Sequence, residues 1–423
     1  MTPPGNTATD DPLQRRTEEA RQRALSWMQG GSGSANRMGL ELALNAQQSA
    51  AAEEPLNPAP LLESGRLLAE LGRIEDALAA YSRASELAPD DPQVWTRLGQ
   101  LQAKVARWRD VERSQQRVLS LDPEHAPAYA RLCWALRRLG RIPESIRAGR
   151  RAVEVGPDET MGYNHLAFAL LAHSDCQGAL EVCDASLQRN PHDVASLAYK
   201  PTALKALGRA EEGARLVDFQ RLVWATAVEF GQGSSSVDDF NRELAEFVQS
   251  APSRPFDATQ TVDLLIEPHG VMVTFRDLVN QALAHYLERL PRDPTHPFLN
   301  ERPSRWEVEG WGTRLRRMDP QEHHFHQHGW VSGVYYVTLP ASVGGGEHGR
   351  DGFLEFCRFP QYSDGSSKSE FIALPPRPGM LVLFPSYFYH RVRPFEPDGD
   401  KPRISIAFNL IPTEWETASD GPA

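Results

Sequence analysis

Four histidines crowd the run EHHFHQHGW: His323, His324, His326 and His328. Imidazole is a common metal ligand, and in an extended segment alternate residues share one face about 6.6 Å apart. His324 and His326 can therefore turn both rings toward a single ion. A third ligand must come from elsewhere in the fold. The convincing candidate is His390, which ends the apolar run in PRPGMLVLFPSYFYHRVRPF. Surface histidines are usually solvated, and that is the expectation for His323 and His328. Glu355, in GFLEF, is a weaker alternative ligand.

Thirteen residues after His390 comes Arg403, which opens RISIAFN, with the turn-rich PFEPDGDKP between them. That segment can bring the chain back antiparallel and place Arg403 beside the strand that carries His390. Arg403 and Ser405 share a face. A guanidinium with a neighbouring hydroxyl suits one end of a dicarboxylate, because its planar fork of donors pairs bidentately. Iron(II) accepts imidazole and oxygen ligands, and a site open on one side can take a co-substrate and dioxygen together.

The blocks HFHQHGWVSGVYYVTLP, GFLEF, PPRPGMLVLFPSYFYHRVRPF and RISIAFN together resemble a group of 2-oxoglutarate and iron(II) oxygenases. Its members show an HxH, a Gly-Trp and a Ser-Gly-Val-Tyr-Tyr block, followed by a late His and an Arg-x-Ser. The resemblance covers about residues 305 to 412, with weaker similarity from about 238. In its register the HxH is His324 and His326 rather than His326 and His328, since His324 stands eight residues before Ser332. It implies Fe(II) as the metal and His390 as the distal ligand. It also implies 2-oxoglutarate as co-substrate, its far carboxylate on Arg403 and Ser405, with Tyr336 as a strand tyrosine that helps hold it. No catalytic residue beyond the metal ligands is implied.

The broader superfamily usually has Asp or Glu two residues after the first ligand, where this chain has His326. Two ligand sets stay open: three histidines, or His324 and His390 with water completing the shell, as in some aspartyl hydroxylases resembling this pattern. A cupin-like metal enzyme would put its late His only a few residues after Pro-x-Gly. Here His390 lies eleven after Gly379. Trp330, Tyr335 and Phe384 read as core. The glycines of VGGGEHGRDG precede no Lys-Ser or Lys-Thr, so they read as a hairpin loop near the site rather than a phosphate loop.

Strands must carry these residues. WVSGVYYVTLP, GFLEFCRF, GMLVLFPSYFYH and RISIAFNLIP are strand-like runs separated by Gly, Pro and Asp clusters, which predicts a sandwich or jelly roll. Helical patterns in NRELAEFVQS and FRDLVNQALAHYLERL are expected to buttress it.

The front half has a different grammar. Pro89, Pro123, Pro157 and Pro191 recur every 34 residues, each after an apolar helical stretch. Leu98, Leu132 and Leu166 keep the same interval, as do Trp95, Tyr129 and Tyr163. Gly72, Ala106, Gly140, Ser174 and Gly208 fall where a turn joins two helices. Ala77, Ser145, Ala179 and Gly213 fall at the close helix contact, with Val111 as the departure. This stretch resembles the tetratricopeptide repeat family from about Ala59 to Val217. Such helical hairpins bury their apolar faces by stacking, and in that family the groove commonly holds a peptide or protein.

The fold class expected is thus multi-domain: an all-α tetratricopeptide solenoid followed by a double-stranded β-helix (jelly-roll) domain with flanking helices. The expected boundaries are a partly disordered N-terminal region with short helices at 1–58, with a flexible linker over Gln29 to Asn36. Repeats follow at 59–218, a linker and buttressing helices at 219–304, the oxygenase jelly roll at 305–415 and a tail at 416–423. A break is expected over Gly231 to Asp239, and a chain beginning near Asp218 is expected to bind iron and 2-oxoglutarate, since His324, His390 and Arg403 all lie beyond that point. A net charge of -11 argues against a general nucleic-acid binder. No long apolar run predicts a membrane span or a leader. Four sparse cysteines, Cys133, Cys176, Cys183 and Cys357, read as free thiols in a reducing cytoplasm. The function implied is a 2-oxoglutarate-dependent dioxygenase hydroxylating a peptide or protein side chain presented with help from the repeats. A small-molecule hydroxylase, or a scaffold with an inactive oxygenase domain, is the alternative.

Overall fold

The computed structural model describes residues 33–228, 236–254, 257–315, 323–345, 349–358, 360, 370–396 and 402–416. The expected disorder at the extreme N-terminus and most of the expected break after Phe230 lie outside them, as do residues 346–348 of the glycine-rich loop. The chain divides into two compact units between Leu139 and Gly140. No described helix is long and apolar enough to cross a membrane.

The described part of the first unit is built of helices. It contains α1 (Gly33–Glu53), α2 (Ala59–Glu70), α3 (Ile74–Leu87), α4 (Pro92–Lys104), α5 (Trp108–Leu121) and α6 (Ala126–Arg138). The first helix corrects one expectation, because Gly33–Asn36 start a helix instead of extending a flexible linker. Leu44, with Leu40 beside it, packs against Leu67 and Leu68, and this burial supplies the stability that the glycines withhold.

The repeat columns have physical causes. Gly72, Ala106, Gly140, Ser174 and Gly208 all have positive φ, the left-handed residue that ends one helix and lets the next begin. Trp95 Nε1 donates to the Pro89 carbonyl at 2.8 Å, and Tyr163 Oη donates to that of Pro157 at 2.9 Å. At these two positions the aromatic column ties the hairpin to the proline turn before it.

The second unit starts with helices α7 (Ile142–Val155), α8 (Thr160–Ala172), α9 (Cys176–Arg189), α10 (Val194–Ala206), α11 (Ala210–Leu216) and α12 (Phe219–Leu222). Its strands are β1 (Trp224–Ala227), β2 (Ser253–Arg254), β3 (Asp257–Thr261), β4 (Pro303–Leu315), β5 (Val331–Thr338), β6 (Leu354–Cys357), β7 (Phe371–Leu374), β8 (Met380–Pro385), β9 (Tyr389–Val392) and β10 (Arg403–Trp415). Two further helices, α13 (Val237–Ser250) and α14 (Val271–Arg289), precede the main strands. Among the described residues a seven-stranded sheet runs β1-β8-β5-β10-β4-β3-β2, facing a three-stranded sheet ordered β7-β6-β9. All the pairings are antiparallel. This is the double-stranded β-helix, the jelly roll.

Alternation along β5 and β10 sorts their residues between two faces. On the outer face Tyr335 and Phe408 pack against Phe275 of α14, and Tyr335 Oη donates to Asn241 of α13 at 2.8 Å. The inner face, toward the small sheet, carries Ser332 and Tyr336 of β5 and Arg403, Ser405 and Asn409 of β10. Strand β4 pairs with β10 along its whole length and was hidden in the sequence by glycines. Gly310 and Gly312 stand where Leu265 and Val248 press on the strand, and a Cβ there would come within 2.5 Å of each.

Helix α10 is buried nearly all round, because its sequence VASLAYKPTALKA has apolar residues on every side. One side meets α8 and α9, and another meets the jelly roll. Carbonyls at the end of the repeats are taken by jelly-roll side chains. Tyr387 Oη donates to Leu216 O at 2.6 Å, Arg358 Nε to Val217 O at 3.0 Å and Tyr286 Oη to Leu222 O at 2.6 Å. His192 stacks on Trp415 with centroids 3.6 Å apart. The change of period near Asp218 therefore marks a change of architecture and not a gap between independent bodies.

Candidate metal centre

His390 sits on β9, whose pairing with β6 sets Phe356 opposite it. The segment holding His324 and His326 is irregular rather than a strand. It is pinned by one bridge, with His324 N to His390 O at 3.0 Å and His390 N to His324 O at 2.9 Å. His326 N donates to Ser386 O at 3.0 Å. Gly329 then lets the chain turn into β5, since a Cβ there would meet Ser386 Oγ at 2.7 Å and Asn409 Cβ at 2.9 Å.

These constraints gather three imidazoles. Ring centroids are 4.6 Å apart for His324 and His390, 4.9 Å for His326 and His390, and 5.6 Å for His324 and His326. One ring nitrogen from each lies within 4.8 Å of the others. Ligands on one ion at about 2.1 Å stand roughly 3 to 4 Å apart, so a small ring rotation would close the set.

Two of the second nitrogens have partners. His390 Nδ1 faces the Phe388 carbonyl at 2.9 Å and His326 Nδ1 faces Asn409 Oδ1 at 2.8 Å. A carbonyl oxygen accepts only, so both Nδ1 atoms carry the proton and both Nε2 lone pairs are left for a metal. Asn409 is itself fixed, donating to Glu309 Oε1 at 2.8 Å and accepting from Ser332 Oγ at 2.8 Å. Burial, with the neighbouring His324, lowers His326 to about 4. Burial, with His324 and His326, holds His390 well below its ordinary value. Both rings are neutral at pH 7, the form that binds metal.

His323 and Glu355 do not join the cluster. Glu355 is buried between Arg391 Nη2 at 2.6 Å and Arg393 Nη1 at 2.7 Å, with His323 Nε2 at 3.2 Å. Against burial, which raises it, Arg393 and Arg391 hold the Glu355 carboxyl below its usual value. His328 is exposed outside the triad. Trp330, Tyr335 and Phe384 are core, as expected, although Phe384 also lies against His390 with centroids 4.8 Å apart.

Arg403 requires a correction. Its strand β10 lies between β4 and β5, while β9 with His390 belongs to the small sheet, so the two strands are not neighbours. His390 and Arg403 thus stand in different sheets and not on paired strands. Arg403 is only 2% exposed and donates through Nη1 to Ser405 Oγ at 3.2 Å, with its Cζ 5.2 Å from the centre of the Tyr336 ring. Among the described residues no carboxylate pairs with it, and Arg403 Nε and Tyr336 Oη have no hydrogen-bond partner. Burial pushes Tyr336 up to about 12, against the pull of Arg403. A buried guanidinium without a counter-charge is costly, and an anion supplies the missing partner.

Asn409, Ser332, Glu309 and Trp311 escaped the sequence reading. Asn409 lies six residues from Arg403 and so on the same face of one strand, which period-two counting could have found. Trp311 lies 5.6 Å from His326 between ring centres, and the Arg254 guanidinium lies over that indole at 4.6 Å.

The comparisons agree with this geometry. Residues 309–409 match the family described as "Putative 2OG-Fe(II) oxygenase", residues 65–105 match a TPR repeat family and residues 131–194 match the tetratricopeptide repeat family. The chain therefore carries tetratricopeptide repeats and, behind them, a C-terminal domain of the 2-oxoglutarate and iron(II) oxygenase kind. Among solved structures, MamA from Desulfovibrio magneticus RS-1 is 23% identical over 42% of this chain and 96% of its own, at a TM-score of 0.37. YrrB, described as a TPR protein with an unusual peptide-binding site, is 19% identical over 42% of this chain and 91% of its own, at 0.36. PilF of Pseudomonas aeruginosa is 13% identical over 50% of this chain and 93% of its own, at 0.40. No curated protein matches the chain.

Proposed function

We propose that this protein is a 2-oxoglutarate and Fe(II)-dependent hydroxylase acting on a peptide or protein side chain. His324, His326 and His390 would hold the iron, His326 and His390 through Nε2, and Arg403, Ser405 and Tyr336 would bind the far carboxylate of the co-substrate. The observation that carries the reading is the pairing of two unmet needs inside one jelly roll: three converging imidazoles, and a buried guanidinium that meets no carboxylate among the described residues. When bound, iron and 2-oxoglutarate supply the oxidising chemistry, in which decarboxylation of the co-substrate is coupled to hydroxylation of a carbon.

The chain's own residues do the rest. Phe388 O and Asn409 Oδ1 fix the tautomers of His390 and His326. Arg403 orients a dicarboxylate from one end, and Phe384 and Trp311 exclude water beside the imidazoles. The structure contains three histidines within reach of one ion, which favours His326 as a ligand over the two-histidine set. The repeats favour a macromolecular substrate, since hairpin arrays of this kind serve protein interaction. A reducing cytoplasm remains part of the proposal, on the strength of the free thiols Cys133, Cys183 and Cys357, all buried.

The test is iron-dependent turnover of 2-oxoglutarate by the purified full chain, with His324→Ala and His390→Ala as variants. Both are expected to abolish turnover with the fold retained. Wild-type turnover in either variant overturns the ligand assignment. His326→Ala decides between the ligand sets: a loss of iron affinity as large as that of His390→Ala supports three histidines, and unchanged affinity supports two.

A further inference from the structure

The segment that carries His324 and His326 has little backbone support, yet its middle residue is held firmly from outside the jelly roll. Phe325 lies edge-on to Tyr199 of α10, with centroids 5.7 Å apart and planes at 86°. On its other side Phe325 meets Tyr389 at 5.0 Å and 70°. Tyr199 is itself backed by Phe168 of α8 at 5.5 Å and 89°. Four rings, Phe168, Tyr199, Phe325 and Tyr389, thus form a row from two repeat helices to the residue between His324 and His326 and to the residue before His390. Thr202, one turn beyond Tyr199, donates through Oγ1 to Pro360 O at 3.4 Å and seats the same helix face.

We infer that Tyr199 is a positioning residue for the metal centre, so that the terminal repeat is a structural part of the site and not only a means of delivery. The inference rests on the metal-site reading above. Edge-to-face contacts are directional and fix ring position more narrowly than apolar burial alone. Phe325 cannot shift without carrying the imidazoles on either side of it. Loss of the Tyr199 ring leaves the backbone bridge, the hydrogen bonds of His326 and the Tyr389 contact to hold them, with nothing from the repeats. A movement of α10 within the repeats would also be felt as a change in ligand geometry, which gives whatever occupies the array a route to the iron.

The test uses the full chain and Co(II), whose visible bands report ligand number and geometry. Tyr199→Ala is expected to weaken Co(II) binding tenfold or more and to alter the bands, and Tyr199→Phe to leave both unchanged. Tyr199→Leu keeps apolar bulk on the helix and safeguards against a folding failure; it is expected to lose affinity by a smaller factor. Leu180→Ala, in the core of α9 away from the row, is expected to lower the melting temperature without changing Co(II) affinity. Wild-type affinity and bands in Tyr199→Ala and Tyr199→Leu overturn the inference, as does an equal loss in Leu180→Ala. His390→Ala separates this from the wider reading. If it loses the Co(II) bands while the Tyr199 variants keep them, only the inference fails, and if it too binds normally, the metal assignment fails with it.

Discussion

Arg403 is the residue in which function and stability oppose each other most directly. Among the described residues the buried guanidinium meets Ser405 Oγ and Tyr336 but no carboxylate, which costs the unliganded fold and points to a ligand. Arg403→Lys keeps the charge and loses the fork, and is expected to weaken 2-oxoglutarate binding by about 1.5 to 3 kcal/mol, read as the co-substrate Michaelis constant. Arg403→Met should remove binding altogether while raising unliganded stability by about 1 to 3 kcal/mol, the scale of an unsatisfied buried polar group. A destabilised Met variant would mean that the guanidinium is already satisfied without ligand. The histidines give a second expectation. His326 and His390 titrate lower in the folded chain than in the unfolded one, so in the window below the unfolded value near 6.5, which reaches down to about 4 for His326, the unfolded chain binds more protons. Metal-free stability is therefore full above that window and falls as pH drops through it. Denaturant titrations at pH 7.5 and pH 5.0, on wild type and His390→Ala, should show a smaller loss in the variant.

At the scale of elements, the repeats were legible because their constraints recur at fixed intervals. The left-handed turn appears as a column of small residues, and the proline turn as a column of prolines with an aromatic six residues on. Ala106 and Ser174 adopt the same positive φ as the glycines of their column, a conformation that costs a residue with a Cβ about 1 to 2 kcal/mol. Ala106→Gly and Ser174→Gly are thus each expected to stabilise the chain by up to about 1 kcal/mol after the added freedom of the unfolded state is counted, measurable by urea titration. Strand β4 was not legible, since Gly310 and Gly312 break the apolar alternation that marks a strand. Their meaning appears only with Leu265 and Val248 in place. Similarly, His324, His326 and Arg403 could be chosen from spacing and resemblance, but Asn409 and Tyr199 depend on contacts between distant segments. Period-two counting from Arg403 reaches Asn409, but no local pattern announces its contact with His326, and none points to Tyr199.

For the whole molecule, the question is where the chain can be cut. The loss of the 34-residue period suggests Asp218, yet the contacts place the more independent boundary at Leu139, inside the repeats. A chain beginning at Phe219 lacks the carbonyls of Leu216 and Val217 that accept from Tyr387 and Arg358, and it lacks the ring that backs Phe325. It should express poorly or bind Co(II) weakly. A chain beginning at Gly140 keeps all these partners and should bind metal and 2-oxoglutarate like the full protein, and turn over the co-substrate slowly without substrate. What it discards is helices α1 to α6, the first half of the repeats, with any groove they form. If the groove captures a peptide and delivers its target residue, tethering supplies an effective concentration in the mM range, and catalytic efficiency toward a long substrate should fall in the shorter chain by orders of magnitude. A substrate that needs only the pocket would be hydroxylated equally well by both. The comparison of the full chain with the one from Gly140, on the same substrate and with co-substrate turnover as the internal standard, therefore separates capture by the repeats from recognition at the metal. Equal coupled efficiency toward a long substrate would sink the delivery role while leaving the metal site, and the part Tyr199 plays in it, untouched.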